Sequence, residues 1–310
     1  MAGQFVLLST VWGASFFLVK VALEGVQASD VAFGRLTVGA VALLATSIVT
    51  RSPLARGART WAHLAVLGVL LCDLPFSLIA WAEQRLPSSE ASLYNASTPL
   101  MTTLIAFAVL RHERLGAARL AGVGLGFLGV VVALAPWSGG FGLGQISPQL
   151  ASLAAAACYG AGFVYLRRFL APLRLPATVL ATGQIAAAAL VACVIAPFER
   201  MEPAHLSLRV VAAMLVLGAL GTGAAYIWNA NVIATWGAPS GSMVTYVIPI
   251  VGIVLGVVVR GEHFTWNDVL AAALIVCGVA FGQRQRPAVR RPRRDVWASE
   301  EQARDGPAAP

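Results

Sequence analysis

Apolar residues run through this chain in ten long blocks separated by short polar stretches, at roughly 4–22, 31–50, 61–81, 89–110, 117–135, 148–166, 177–196, 209–230, 238–259 and 265–283. Each approaches the roughly 20 residues a helix needs to cross a bilayer core. The blocks are too unbroken for β-barrel strands, which alternate apolar and polar positions over about ten residues. Hydrocarbon offers no water to peptide groups, so only closed intrahelical hydrogen bonding remains. The pattern predicts an all-α membrane protein with ten transmembrane helices. The first block follows Met-Ala-Gly-Gln, with no basic n-region and no A-x-A site behind it. It is therefore expected to be a retained span rather than a signal peptide.

Composition narrows the class. The 310 residues are 58% hydrophobic and 12% charged, whereas soluble domains carry about 25% charged residues. One soluble core of this size has too little polar surface to cover that much apolar chain. A soluble enzyme, a disordered chain, a collagen-like fibre and a disulfide-knit domain are excluded. Cys72, Cys158, Cys193 and Cys277 lie far apart in apolar runs, with no spacing for zinc or a disulfide framework, and read as small apolar side chains.

The net charge of +8 is unevenly placed. Seven arginines, Arg284, Arg286, Arg290, Arg291, Arg293, Arg294 and Arg304, crowd the final 27 residues. Without a basic aromatic face or a recognition helix, residues 284–310 read as a disordered cytoplasmic tail drawn to anionic lipid, not as a nucleic-acid site. The loops 51–60, 111–119 and 167–175 and this tail hold sixteen arginines, against four (Arg85, Arg200, Arg209 and Arg260) in the opposite loops. The imbalance predicts an inner, plasma-membrane protein with both termini cytoplasmic. Trp61, Trp81, Trp137, Trp228, Trp236 and Trp266 fall at block ends, where an aromatic belt belongs.

An internal repeat follows. Trp12-Gly13-Ala14-Ser15-Phe16 echoes Tyr159-Gly160-Ala161-Gly162-Phe163 at an offset of 147, which sets Lys20 opposite Arg167. Phe33-Gly34-Arg35-Leu36 meets Thr182-Gly183-Gln184-Ile185 at 149, Gly68 meets Gly218 and Pro99 meets Pro249 at 150, and Glu113 meets Glu262 and Gly129 meets Gly278 at 149. A near-constant offset through five blocks predicts two five-helix repeats, 4–135 and 148–283. Five is odd, so the second copy enters the membrane inverted, the architecture of alternating-access carriers.

The segments Trp12 to Phe16 with Lys20, Phe33 to Leu36, Pro75-Phe76 with Ala80-Trp81-Ala82-Glu83-Gln84, Asn95 to Pro99, Glu113-Arg114-Leu115 and Gly122 to Gly129 together resemble the drug/metabolite transporter superfamily, EamA family. The resemblance covers about residues 4–283 and is stronger in the first half. It implies a ten-helix carrier, usually an exporter of amino acids or other small metabolites. Asp73 departs from the asparagine-like residue the resemblance implies there.

Three charged residues lie well inside the blocks: Lys20, Arg35 and Asp73. Each costs about 2.5–3.5 kcal/mol at a helix centre. Lys20, the only lysine, and Arg35 lie near the outer ends of their blocks. Two readings stand for them: snorkelling to the interface, or a cationic pair that meets a substrate anion or seals the outer gate. Asp73 lies about 18 Å in from Trp61 at 1.5 Å per residue, near the midplane. It reads as a proton-coupling acid, as a paired acid bonding helix to helix, or as a substrate contact. Trp12, Ser15, Phe16, Asn95, Tyr159, Tyr226, Asn229 and Tyr246 are the polar and aromatic candidates to line a substrate pathway, with interior packing as the alternative for the aromatics. Pro99 and Pro249 interrupt helix hydrogen bonding and read as hinges or static kinks. Glu113 and Glu262 are expected to cap the next helix or pair with arginine.

Other letter patterns carry no chemistry. Gly124-x-Gly126-x-x-Gly129 has no preceding strand or following acid; Gly122-x-x-x-Gly126 and Gly252-x-x-x-Gly256 read as close helix packing. The sequon Asn95-Ala96-Ser97 lies inside a block. The sequence carries no Walker loop, metalloprotease histidine spacing or Ser–His–Asp set, so neither catalytic residues, metal nor cofactor is expected. The reading is a secondary carrier of small solutes working by alternating access, with a non-transporting scaffold, a lipid scramblase and an intramembrane enzyme as its rivals.

Overall fold

The computed structural model describes residues 2–110, 116–135, 143–198, 203–236 and 238–283. The side chains of 143–145, 233–234, 236, 238–243, 245–246 and 283 lie outside that description. The pathway candidate Tyr246, the glutamate Glu113 and the basic tail 284–310 therefore fall outside the described residues.

Every regular element among the described residues is helical: α1 (Ala2–Ala22), α2 (Ala28–Val49), α3 (Ala58–Glu83), α4 (Ser88–Asn95), α5 (Thr98–Val109), α6 (Ala117–Leu134), α7 (Leu143–Tyr165), α8 (Ala177–Ile195), α9 (208–236), α10 (Ala238–Arg260) and α11 (Trp266–Gln283). Seven of them, α1, α2, α3, α6, α7, α8 and α9, are long and apolar enough to cross a membrane; the apolar parts of α10 and α11, Val247–Arg260 and Trp266–Gly282, are shorter. Ile48 and Val258 are 77% and 76% exposed, an outer surface that lipid, not water, tolerates.

The expectation of ten transmembrane helices is met in part: seven described helices reach spanning length, and the fourth block departs from a single helix. The fourth block is two helices, α4 and α5, parted at Ala96-Ser97. Pro99 has no N–H to return to the carbonyl of Asn95. The Thr98 hydroxyl donates to that carbonyl instead, at 2.8 Å, and the Ser97 hydroxyl donates to the Tyr94 carbonyl at 2.7 Å. Pro99 thus sits in the first turn of α5, where a missing donor costs nothing. Pro249, its counterpart at the 150-residue offset, lies inside α10.

The two halves pack by exchange. α1 packs on α10, and its counterpart α7 packs on α5; α2 packs on α9, and its counterpart α8 packs on α3. α6 pairs with its own counterpart α11, and α2 with α8. Glycines matched in the sequence make matched close approaches. A Cβ on Gly13 would meet the Ile248 carbonyl at 2.8 Å, and one on Gly160 would meet the Thr102 amide at 2.8 Å. One on Gly129 would meet Ala271 O at 2.9 Å, and one on Gly278 would meet Gly122 O at 2.6 Å. Backbones this close leave no room for side chains, which is how small residues bring helices together in lipid.

Candidate functional site

The helices that approach the centre carry the same irregularity in both halves. α3 widens into a π turn at Val69–Asp73, and α9 does so at Val216–Ala224. An offset of 150 lays one on the other. A π turn frees carbonyls and aims side chains sideways, so such turns gather at functional sites.

Those turns are held by α2 and α8. Arg35 Nε donates to Thr222 Oγ1 at 2.9 Å, and Thr222 in turn donates to the Leu217 carbonyl at 3.1 Å. In the other half, Gln184 Nε2 donates to Cys72 Sγ at 3.3 Å. Gln184 is the counterpart of Arg35, and Cys72 of Thr222. Trp12 Nε1 donates to the Gly221 carbonyl at 3.1 Å. The Tyr226 hydroxyl lies 3.3 Å from both Cys72 Sγ and the Leu71 carbonyl. The Trp12 and Tyr226 rings meet edge to face at 5.8 Å between centroids, a favoured aromatic geometry.

Between the halves lies a small, partly open cavity. Its wall brings together Trp12, Ser15, Phe16, Arg35, Asn95, Tyr159 and Tyr226 from the predicted set. It also includes residues that the sequence reading did not name as pathway candidates: Val19, Phe76, Ile79, Thr98, Phe163 and Ile248. Arg35 is 8% exposed, with its guanidinium 3.8 Å from the Phe76 ring centroid. Among the described residues, no carboxylate lies within ion-pair distance of it. The wall is thus aromatic, with one buried cation that no described carboxylate balances by contact. A guanidinium so placed has donors suited to a small anion, and the rings suit apolar substituents.

The remaining predicted residues lie elsewhere. Lys20 is not on the cavity wall; its ammonium donates to the backbone carbonyls of Glu83 and, at 2.7 Å, Leu86. Asn229 is half-buried in α9 and lies off the wall. Asp73 ends the first π turn, off the wall, with a buried Oδ2 that has no hydrogen-bond partner. Glu262 does cap a helix, but in the opposite half rather than the next one. It accepts from the Ser88 amide at 2.9 Å, the Ser88 hydroxyl at 2.8 Å and the Ser89 amide at 2.9 Å, at the start of α4. Phe76 and Thr222 were within reach of the repeat, since offsets near 150 align them with Tyr226 and Cys72. Glu83 carried no such signal.

At the Lys20 end the halves are tied further. Arg260 Nη1 pairs with Glu24 at 2.9 Å, Arg209 with Glu24 at 3.6 Å, and the His205 amide donates to the Gly25 carbonyl at 2.8 Å.

With this geometry in view, the comparisons decide the family. The pattern of the EamA-like transporter family matches residues 2–135 and again residues 147–281. The chain belongs to the EamA-like transporter family. A probable terminal-alkyne amino-acid exporter of Streptantibioticus cattleyicolor is 32% identical over 129 residues, 41% of this EamA-like chain and 42% of that protein. The match thus spans about two fifths of that relative's length. One solved crystal structure is similar with a TM-score of 0.64 at 24% identity, covering 90% of this chain and 96% of that one, a likeness of fold. Membership of this family and seven described helices long and apolar enough to cross a bilayer make this EamA-like chain a multi-pass membrane protein.

Proposed function

We propose that this EamA-like protein is a secondary carrier that exports small carboxylate-bearing solutes, amino acids among them, by alternating access between two inverted five-helix repeats. The observation that carries the reading is Arg35: a buried cation, without an acidic partner among the described residues, in the wall of a cavity lined by both halves. A substrate carboxylate supplies the missing charge and takes the guanidinium donors that Thr222 leaves free. The aromatic wall accepts an apolar side chain. Exchange packing of the halves supports inversion, because swapping equal bundles of five helices reverses which end of the cavity is sealed. The arginine bias supports a Lys20 end facing outside and both termini in the cytoplasm.

Asp73 is the proposed proton-coupling acid. Its support is a buried Oδ2 without a partner at mid-span, on a π turn that adjoins Cys72 and, through it, Tyr226 and Gln184. Lys20 serves the outer seal rather than the substrate, and Pro249 with the α4–α5 break marks where helices flex. The kinship with an amino-acid exporter supports the direction and the substrate class.

The test is counterflow in reconstituted vesicles with three probe sets: neutral amino acids, the matching carboxylic acids without the amino group, and the matching amines without the carboxyl. Exchange of both carboxylate sets and none of the amines is expected. Exchange of amines alone, or of no solute in any set, overturns the reading.

A further inference from the structure

The turn between α3 and α4 buries a carboxyl that the transport reading leaves unused. Glu83, the last residue of α3, is fully buried, and neither of its carboxyl oxygens has a hydrogen-bond partner among the described residues. Lys20 does not supply one, because its ammonium is held by backbone carbonyls of the same turn. The other charges facing Glu83 are Glu262 and Arg260 from the end of α10 and the loop after it, and Arg35 from α2; Glu90 of α4 faces Lys20 and Glu262. Named neighbours are bonded elsewhere: Arg260 pairs with Glu24, the Ser88 and Ser89 amides donate to Glu262, and Arg35 Nε donates to Thr222. Val19 and Ile79, one residue and one turn away from Lys20 and Glu83, line the cavity. The Lys20–Glu83 layer is therefore its lid at this end.

A carboxylate removed from water without a donor carries an unmet cost of several kcal/mol. The neutral acid fits the shut packing, and an ionised one demands water or a cation. Both become accessible only when residues 84–88 lift from α1.

Resting on the alternating-access reading, we propose that Glu83 is a second proton-binding site, placed in the outer seal, whose proton keeps the seal shut. On ionisation the proton passes to water outside, the O–H bond breaking towards a water oxygen. Water enters to solvate the new carboxylate, Lys20 leaves the two carbonyls, and the turn separates from α1. Glu83 thereby couples outside pH to access, independently of any proton that Asp73 carries.

The experiment reads the seal directly and needs no substrate. Cys72, Cys158, Cys193 and Cys277 are replaced by serine, Ile79→Cys is introduced, and a membrane-impermeant maleimide is applied from either side of oriented vesicles. A titrating group can shift an opening equilibrium about tenfold per pH unit. Corrected for thiolate content with an exposed-cysteine control, labelling from outside is expected to rise with pH, by up to about that factor per pH unit through the transition. Glu83→Gln should hold labelling low and flat across the range, while Glu83→Asp, which still ionises, should keep the rise. A flat profile in the parent, or an unchanged rise in Glu83→Gln, overturns the proposal. If Glu83→Gln does not fold, a flat Glu83→Asp profile beside a rising parent overturns it, and a retained rise whose midpoint moves supports it. Failure of the carrier reading looks different: Ile79→Cys is then labelled from neither side, or from both at once, at every pH.

Discussion

Arg35 and Gln184 occupy the same place in the two halves of this protein, 149 residues apart, and each sends a side-chain nitrogen to the π turn that faces it. Arg35 reaches Thr222 at 2.9 Å and Gln184 reaches Cys72 at 3.3 Å. The scaffold repeats, but the charge does not. One copy stabilises the turn with a neutral amide; the other does so with a cation that also enters the cavity wall.

Arg35→Gln should therefore preserve the fold and remove the anion site. Glutamine makes this kind of bond in the other half, so thermal unfolding in detergent should move little. A hydrogen bond to a charged group contributes about 1.5–3 kcal/mol, so binding of carboxylate solutes should weaken about 10- to 100-fold. Uncharged solutes should be affected far less. Equal losses for acidic and neutral solutes would assign Arg35 to folding or gating instead.

The glycines divide into two kinds. A Cβ on Gly160 would meet the backbone of Thr102 and Met101 at 2.8 and 3.0 Å, whereas one on Gly124 would meet nothing within 4 Å. Gly160→Ala should destabilise the protein by about 1–3 kcal/mol through forced separation of α7 from α5. Gly124→Ala should be neutral or stabilising by about 0.5–1 kcal/mol, because alanine is the better helix former. Unfolding midpoints in one detergent decide the matter, and similar shifts for both variants would contradict the packing argument.

Glu262 gives a pH signature outside the membrane core. Partial burial pushes its carboxyl up, but hydrogen bonds from Ser89 and Ser88 outweigh this and hold it below the ordinary glutamate value. A carboxyl lowered by folding adds stability above its unfolded value, near about pH 4.3, and that stability fades as pH falls through the lower folded value. Glu262→Gln should be less stable than the parent at neutral pH, by about 0.5–2 kcal/mol as for a lost helix cap. The two should converge in acid. A constant gap across the titration would show that the bonds do not depend on the charge.

Asp73→Asn tests the proposed coupling. Flux driven by a pH gradient should collapse, while solute exchange without a gradient continues. Unchanged gradient dependence would remove Asp73 from the proton pathway.

Much of the fold was legible because hydrocarbon imposes a strong rule on sequence: long apolar blocks must close their own hydrogen bonds. The repeat was legible for a related reason. Gly68 and Gly218, or Gly129 and Gly278, are places where another backbone passes too close for a side chain, and such positions persist in register. The α4–α5 break was half-visible. Pro99 marked it, but only the coordinates show the Ser97 and Thr98 hydroxyls taking over the orphaned carbonyls. Lys20 and Arg35 looked alike in the sequence, two cations near block ends. Their fates differ because α1 delivers Lys20 to the carbonyls ending α3, while α2 delivers Arg35 to the π turn of α9.

The sequence by itself determined the solvent, the element type and the duplication, since these follow from local apolar length and from register along the chain. Tertiary structure alone decided which polar groups meet. Whether a charge faces the cavity, a carbonyl or nothing depends on helix rotation and on π turns that shift register by a fraction of a turn. That is why Arg35 lies in the cavity wall, Lys20 against the carbonyls of Glu83 and Leu86, and the Glu83 carboxyl oxygens without a partner among the described residues.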